Sequence, residues 1–468
     1  MSKHPYESEC GVLPGMPETG RARDEIISEL RSIGEQEDQF WRTGKVSGTM
    51  YCGDADHYAF LAAAYQPFAH VNVLQRDICP SATKFEREII AMTLDMLHGS
   101  AVSQHHPHET PCGSITSGGT ESILSAMLAY RNWAKAEKGI TQPNVILPVT
   151  AHPAFDKACH MLGMEPIKAP IDPTSTLVDL DVVRAQINAN TIALVGSAGN
   201  YPYGTIDPME ALSDLATLHD IGLHVDACLG GFILPWGEIL GYDIPVFDFR
   251  LPGVTSISAD THKYGYAFKG TSVLAYRNHR LRSHQYFMRP DWPGGKYRSP
   301  GVAGSRSGGL IAATWASMVS LGRVGYLKYA KAIFETAFAM QAVVRSHDEL
   351  RMMGSPTWCF SFTSDHFDIY HINDSMRRNG WRFNGQQYPN AIHMCVTRPQ
   401  TEPGVVDAFR VDLAEGVAYA NAHKDEPATS ATFYGGVSDD ASPDEHLRVR
   451  ERLAAMLDDM QDITVLSK

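Results

Sequence analysis

Ser258-Ala259-Asp260-Thr261-His262-Lys263-Tyr264-Gly265 is the stretch on which the reading of this chain turns. It follows an apolar, β-type run, Val254-Thr255-Ser256-Ile257, and leads into Tyr266-Ala267-Phe268-Lys269-Gly270. A lysine beside a histidine directly after a buried strand is poorly explained by surface solvation. Two surface lysines flanking a tyrosine-rich loop are the bland alternative. A nucleophilic lysine must be held near its target and be able to lose its proton, through desolvation or nearby positive charge. Lys269, six residues on, supplies a second cation to the same region.

Two signals lie upstream. Thr116-Ser117-Gly118-Gly119-Thr120-Glu121-Ser122 precedes a run in which Ile123, Leu124, Met127 and Leu128 recur at helical spacing. Glycines just before a helix let backbone N–H groups converge on an anion, and the helix dipole adds to the attraction. Ser117 and Thr120 can add hydroxyl donors. A plain helix-start turn reads the same way, and the Lys-Ser/Thr ending of a nucleotide-binding P-loop is missing. The second signal is His224-Val225-Asp226-Ala227-Cys228-Leu229-Gly230-Gly231-Phe232, an acid closing an apolar strand. Asp226 suits a ring nitrogen; a helix cap, or a metal shared with His224 on the same strand face, are the alternatives. No third metal ligand stands at a suitable spacing. An amine, a phosphate cradle and a carboxylate for a ring nitrogen are together what pyridoxal 5′-phosphate (PLP) requires of a protein.

The bulk properties are compatible with a soluble enzyme. The chain has 468 residues, 44% of them hydrophobic and 20% charged, enough for a large domain and a smaller one. A net charge of −13 argues against nucleic acid as a main partner. Eight cysteines without a CxxC pair indicate neither a disulfide framework nor a zinc ribbon. No unbroken apolar run approaches membrane-spanning length and the N-terminus lacks a signal-like stretch, so a cytoplasmic protein is expected. His105-His106-Pro107-His108 reads as a solvated loop rather than a metal cluster.

The order of elements gives an α/β fold. Residues 1–60 read as an N-terminal arm with an amphipathic helix over Asp24 to Phe40. Residues 61–310 alternate buried β-type runs with helical stretches, which implies a large domain built on a mostly parallel sheet with helices on both faces. Residues 311–468 read as long helical connectors followed by a smaller C-terminal α/β domain.

These residues, in this order, resemble the fold-type I PLP enzymes (the aspartate aminotransferase-like fold) and, within them, the decarboxylase-like group. The resemblance sharpens to the sphingosine-1-phosphate lyases. It rests on Lys45-Val46-Ser47-Gly48, the Gly-rich turn, the Asp226 run, Asp291-Trp292-Pro293-Gly294-Gly295 and Ser299-Pro300-Gly301-Val302-Ala303-Gly304-Ser305-Arg306, spanning about residues 45 to 320. It implies that Lys263 forms a Schiff base with PLP, that Ser117, Gly118, Gly119 and Thr120 hold the phosphate, and that His262 bonds the phosphate or the ring edge. It also implies that His152 stacks on the ring and Asp226 pairs with its nitrogen. Tyr201 and Tyr203 are expected beside the reacting bond, with aromatic packing as their alternative. Lys269 (also expected to be catalytic), Tyr51, Asn72 and Ser305 match positions for the substrate phosphate; Arg306 does so too, or forms a structural ion pair. Gln75 stands where the family carries histidine, and glutamine cannot shuttle a proton at neutral pH.

The implied reaction is a retro-aldol cleavage of a phosphorylated long-chain base, with no resident metal, in a homodimer whose site lies at the subunit interface. An amino-acid α-decarboxylase of glutamate or aromatic type is the alternative reaction. A non-catalytic PLP-fold scaffold is a third reading, disfavoured by the joint presence of Lys263, Asp226 and His152.

Overall fold

Side chains along a strand point alternately to opposite faces, and this chain uses both faces of its main sheet. In a computed structural model describing residues 6–11, 13, 15–430 and 443–461, the apolar runs become seven strands. They are β1 (Cys112–Thr116), β2 (Asn144–Pro148), β3 (Glu165–Ala169), β4 (Thr191–Ser197), β5 (Gly222–Asp226), β6 (Ser256–Ala259) and β7 (Ser272–Tyr276). Their order is β1-β7-β6-β5-β4-β2-β3. β7 runs antiparallel to both neighbours, and the other pairings are parallel. Ile146, Leu194, Val225 and Ile257 feed one core, while Val145, Leu147, Val195 and Leu274 feed the other. Burial on both faces is why these strands read as near-continuous apolar runs.

The second unit is an antiparallel sheet of β10 (Arg351–Met352), β11 (Cys359–Thr363), β12 (Asn384–Gln386) and β13 (Ala391–Cys395), in the order β10-β11-β13-β12. The helix Tyr370–Arg378 packs against β13 and against the helix Val405–His423. The helix expected in the arm is present as Arg23–Arg42, and a further helix spans Pro443–Gln461. The end of the arm is stitched to the small sheet: Arg382 donates its backbone N–H to Lys45 O at 2.8 Å, and Gly48 donates to Cys395 O at 2.9 Å. A hairpin of β8 (Phe287–Arg289) and β9 (Tyr297–Ser299) projects from the large unit and carries the Asp291–Gly295 run at its turn.

The connector Gly308–Arg345 is one helix of 38 residues broken at Gly322, whose φ of 54° only glycine adopts cheaply. By length and composition it is apolar enough to cross a membrane. A reading by unbroken apolar runs passes over it because Arg323, Lys328 and Lys331 interrupt it. Its residues Ile333, Phe334, Ala337, Met340 and Val344 are fully buried in the protein core.

Candidate active site

In an open parallel sheet, ligands bind beyond the carboxyl ends of the strands, where the connecting loops converge. Here β1, β2, β4, β5 and β6 deliver, in turn, the Gly118–Gly119 turn, His152, Tyr201, Asp226 and the loop from Asp260 to Lys263. A cavity of about 370 Å³ is lined by Ser117, Gly118, Gly119, Thr120, His152, Asp226, His262 and Lys263, the full set expected around the cofactor. Glu121, Ile123, Cys228 and Asp260 complete it.

The cradle end is built from backbone. The helix Gly119–Lys138 starts without a side-chain cap, so its first-turn N–H groups are left for an anion. Ser117 N–H is already spent on Glu121 Oε2 at 2.8 Å. A Cβ on Gly119 would lie 2.8 Å from Cys228 Sγ and 2.9 Å from Asp260 Oδ2, so only glycine fits the turn. The acidic end is Asp226, buried at the tip of β5. Its Oδ1 accepts from Cys228 N–H at 3.0 Å, and Ser258 Oγ lies 3.5 Å away. His152 is exposed to the cavity, and its Nδ1 accepts from Ala154 N–H at 3.1 Å, which puts the proton of the neutral ring on Nε2. An anion cradle, a carboxylate and a lysine brought by different loops to one cavity fit PLP.

Lys263 departs from one expectation. Its nearest charge is an acid, not a cation: Nζ lies 3.1 Å from Asp260 Oδ2. Burial pulls the lysine's pKa down, but the charge of Asp260, helped by Cys228, Tyr51 and Asp226, outweighs it and leaves the pKa raised. Asp260 Oδ1 is buried with no hydrogen-bond partner among the described residues. Asp260 lies in the quoted run yet carries no motif signal. Only its i,i+3 spacing from Lys263 could have drawn attention to it. His262 donates Nδ1–H to Thr271 O at 2.7 Å and turns Nε2 toward Asp260 at 3.6 Å. Burial lowers its pKa despite that acid.

The remaining candidates divide. Lys269 Nζ stands 4.8 Å from the Tyr51 ring centre, and Tyr51 meets Tyr264 edge-on at 5.1 Å. Burial first, then Lys263, lowers the pKa of Lys269. Tyr201 is 45% exposed and lies against the His393 ring at 4.5 Å, whereas Tyr203 is 4% exposed and packs inward. Asn72 and Ser305 bond each other at 2.9 Å; like Tyr51, Tyr201, Tyr203, Lys269, Gln75 and Arg306, they are not among the residues lining this cavity. Arg306 is drawn to buried Glu86 at 2.5 Å and to Ile115 O at 3.2 Å, which ties its guanidinium to the fold rather than leaving it for a phosphate. His224, weighed as a metal ligand, instead bonds Ser256 and Ser258.

Sequence spacing also gave no hint that Cys359 and Cys395, opposed across β11 and β13, meet His393. Their ligand atoms all lie within 4.8 Å of one another.

Residues 13–361 match the model of the pyridoxal-dependent decarboxylase conserved domain. A sphingosine-1-phosphate lyase of Dictyostelium discoideum is 44% identical over 86% of this chain and 74% of its own length. The chain belongs to the sphingosine-1-phosphate lyase family of pyridoxal-dependent enzymes. A solved structure of the sphingosine-1-phosphate lyase of Burkholderia pseudomallei is 57% identical, covers 98% of this chain and 100% of that one, and superposes with a TM-score of 0.92. A glutamate decarboxylase of Lactobacillus brevis covers 88% of this chain and 97% of its own with a TM-score of 0.73 but 18% identity, a likeness of fold alone. Membership of the lyase family brings PLP as cofactor and makes the chain a PLP-dependent lyase.

Proposed function

We infer that this chain cleaves the C2–C3 bond of a phosphorylated long-chain base, releasing a long-chain aldehyde and phosphoethanolamine. The observation that carries the reading is the convergence of Lys263, Asp226, His152 and the Gly118–Thr120 turn on one cavity, in a chain of this lyase family. When bound, PLP supplies an electron-withdrawing ring that takes up the electron pair of the breaking bond. Lys263 is the residue that attaches it, Asp226 holds a proton at the ring nitrogen, and His152 covers a ring face. The first-turn N–H groups, the Ser117 and Thr120 hydroxyls and His262 hold the phosphate.

Lys269 is the group best suited to trade a proton or pair with the substrate phosphate, because burial and the neighbouring Lys263 lower its pKa. Tyr201 keeps its phenolic proton, since burial raises its pKa, and it offers that hydroxyl to the substrate's C3 oxygen. Tyr51, beside Lys269, adds a hydroxyl donor for the substrate phosphate. A homodimer supported by apolar surface completes the pocket. Phe287, Met288 and Trp292 on the hairpin are 60%, 64% and 54% exposed, and Ile26, Ile27, Leu30 and Phe40 of the arm helix also face outward. Incubation of the purified holoenzyme with dihydrosphingosine 1-phosphate should yield a long-chain aldehyde and phosphoethanolamine by mass spectrometry. Absence of both, with carbon dioxide released from glutamate or an aromatic amino acid, would replace this reading with the decarboxylase.

A further inference from the structure

Behind Asp226 a chain of hydrogen bonds runs into the core, and none of its outer members touches the cavity. Thr255 Oγ1 donates to Leu223 O at 3.2 Å. Tyr130 Oη lies 2.8 Å from Thr255 Oγ1 and 2.6 Å from Ser256 Oγ. His224 spans Ser256 Oγ at 2.7 Å through Nδ1 and Ser258 Oγ at 3.2 Å through Nε2. Ser258 Oγ in turn lies 3.5 Å from Asp226 Oδ1 and accepts from Cys228 Sγ at 3.2 Å.

Each hydroxyl has one proton, so the first bond fixes the rest. Thr255 spends its proton on Leu223 O and can only accept from Tyr130. Tyr130 therefore accepts from Ser256, and Ser256 accepts from His224 Nδ1–H. That leaves Nε2 bare, and Ser258 gives its proton to it. Burial supports a neutral ring, pushing the His224 pKa down to about 4. Run in reverse, the same chain would put a proton on Nε2 and turn the Ser258 hydroxyl onto Asp226. The shorter Ser258–His224 distance favours the first direction.

We propose that His224 is a positioning residue: it draws the Ser258 hydroxyl away from Asp226, so that the carboxylate keeps only the Cys228 N–H and stays basic enough to hold the proton of the PLP ring nitrogen. A hydrogen bond to a carboxylate favours its charged form, and removing one raises proton affinity. The other titratable groups facing Asp226 are Asp207 from the loop after β4, Cys228 on the next turn and Lys263. The proposal rests on reading Asp226 as the ring-nitrogen partner.

The test uses holoenzyme carrying ¹⁵N-labelled PLP, with the pH midpoint of the ring-nitrogen shift as readout. His224→Phe frees Ser258 to bond Asp226 and should lower the midpoint by about one pH unit, a tenfold change in proton affinity. Ser258→Ala removes the competing hydroxyl and should leave the midpoint where it was. The double variant should return to the parent value. Tyr130→Phe deprives Ser256 of its acceptor, turns the chain around and should lower the midpoint from four hydrogen bonds away from Asp226, even if His224→Phe fails to fold. A Ser258→Ala midpoint that falls, a double variant that behaves like His224→Phe, or an unmoved Tyr130→Phe would overturn the proposal. An Asp226→Asn variant with an unchanged midpoint would instead sink the reading of Asp226 itself.

Discussion

Asp260→Asn should convert Lys263 from a held ammonium into a readier nucleophile. The carboxylate lies 3.1 Å from Nζ. At an effective dielectric of about 20, unit charges at that separation attract by about 5 kcal/mol, equivalent to about four pKa units. The Lys263 side chain is 23% exposed, and solvent screening brings the expected fall to about two units. With the acid removed, burial becomes the dominant influence, and it lowers a lysine's pKa. Asparagine keeps an acceptor for Nζ and nearly the same volume, so the loop geometry should survive. The assay is the rate of covalent PLP capture by the cofactor-free protein followed across the alkaline range, because the parent lysine's pKa lies above its ordinary value. Visible absorbance follows the reaction, and borohydride reduction with peptide mapping locates the label at Lys263. The rising limb should move to lower pH by about two units in the variant. Superimposable limbs, or a limb moved upward, would refute the claim that Asp260 sets the lysine's proton affinity.

Three further outcomes are expected. Gly119→Ala drives a methyl group against Cys228 Sγ and Asp260 Oδ2, and should weaken PLP binding at least about tenfold by equilibrium titration. Lys269→Met should raise KM for the phosphorylated substrate by about tenfold or more through loss of a charged contact, while the bound-cofactor spectrum stays as in the parent; an unchanged KM would remove Lys269 from phosphate recognition. Asp207 is buried, and burial raises its pKa to about 7 from an ordinary 3.8. The folded state keeps a proton that the unfolded chain releases above that lower value, so the stability it contributes is complete at low pH and is lost as pH rises through about 7, about 4 kcal/mol in all. Asp207→Asn should flatten that dependence in urea unfolding, and a slope matching the parent's would contradict it.

The strands and the cofactor set were legible because each is announced locally. β2, β4, β5 and β7 are runs of apolar residues, and a parallel sheet covered on both faces needs little more than that to be recognised. Gly118-Gly119-Thr120, Asp226 and His262-Lys263 each stand at a strand's carboxyl end, so knowing the strands was enough to bring them together. The long connector was less legible, since its charged residues hide an apolar helix that breaks only at Gly322. Tyr201 and Tyr203 could not be separated in advance, because a Pro-containing turn gives no period from which to tell the outward ring from the inward one.

By itself, then, the order of residues determined the α/β architecture, the cofactor chemistry and the lyase resemblance, because all three depend on short segments whose propensity and spacing act within a strand or a turn. Tertiary structure alone decided that Asp260 holds Lys263, that Arg306 answers Glu86, that Cys359, Cys395 and His393 meet, and that Tyr130, Ser256, His224 and Ser258 form one hydrogen-bonded line behind Asp226. Hydrogen bonds and ion pairs act over about 3 Å, a distance at which partners far apart in sequence are chosen by packing and not by any local pattern.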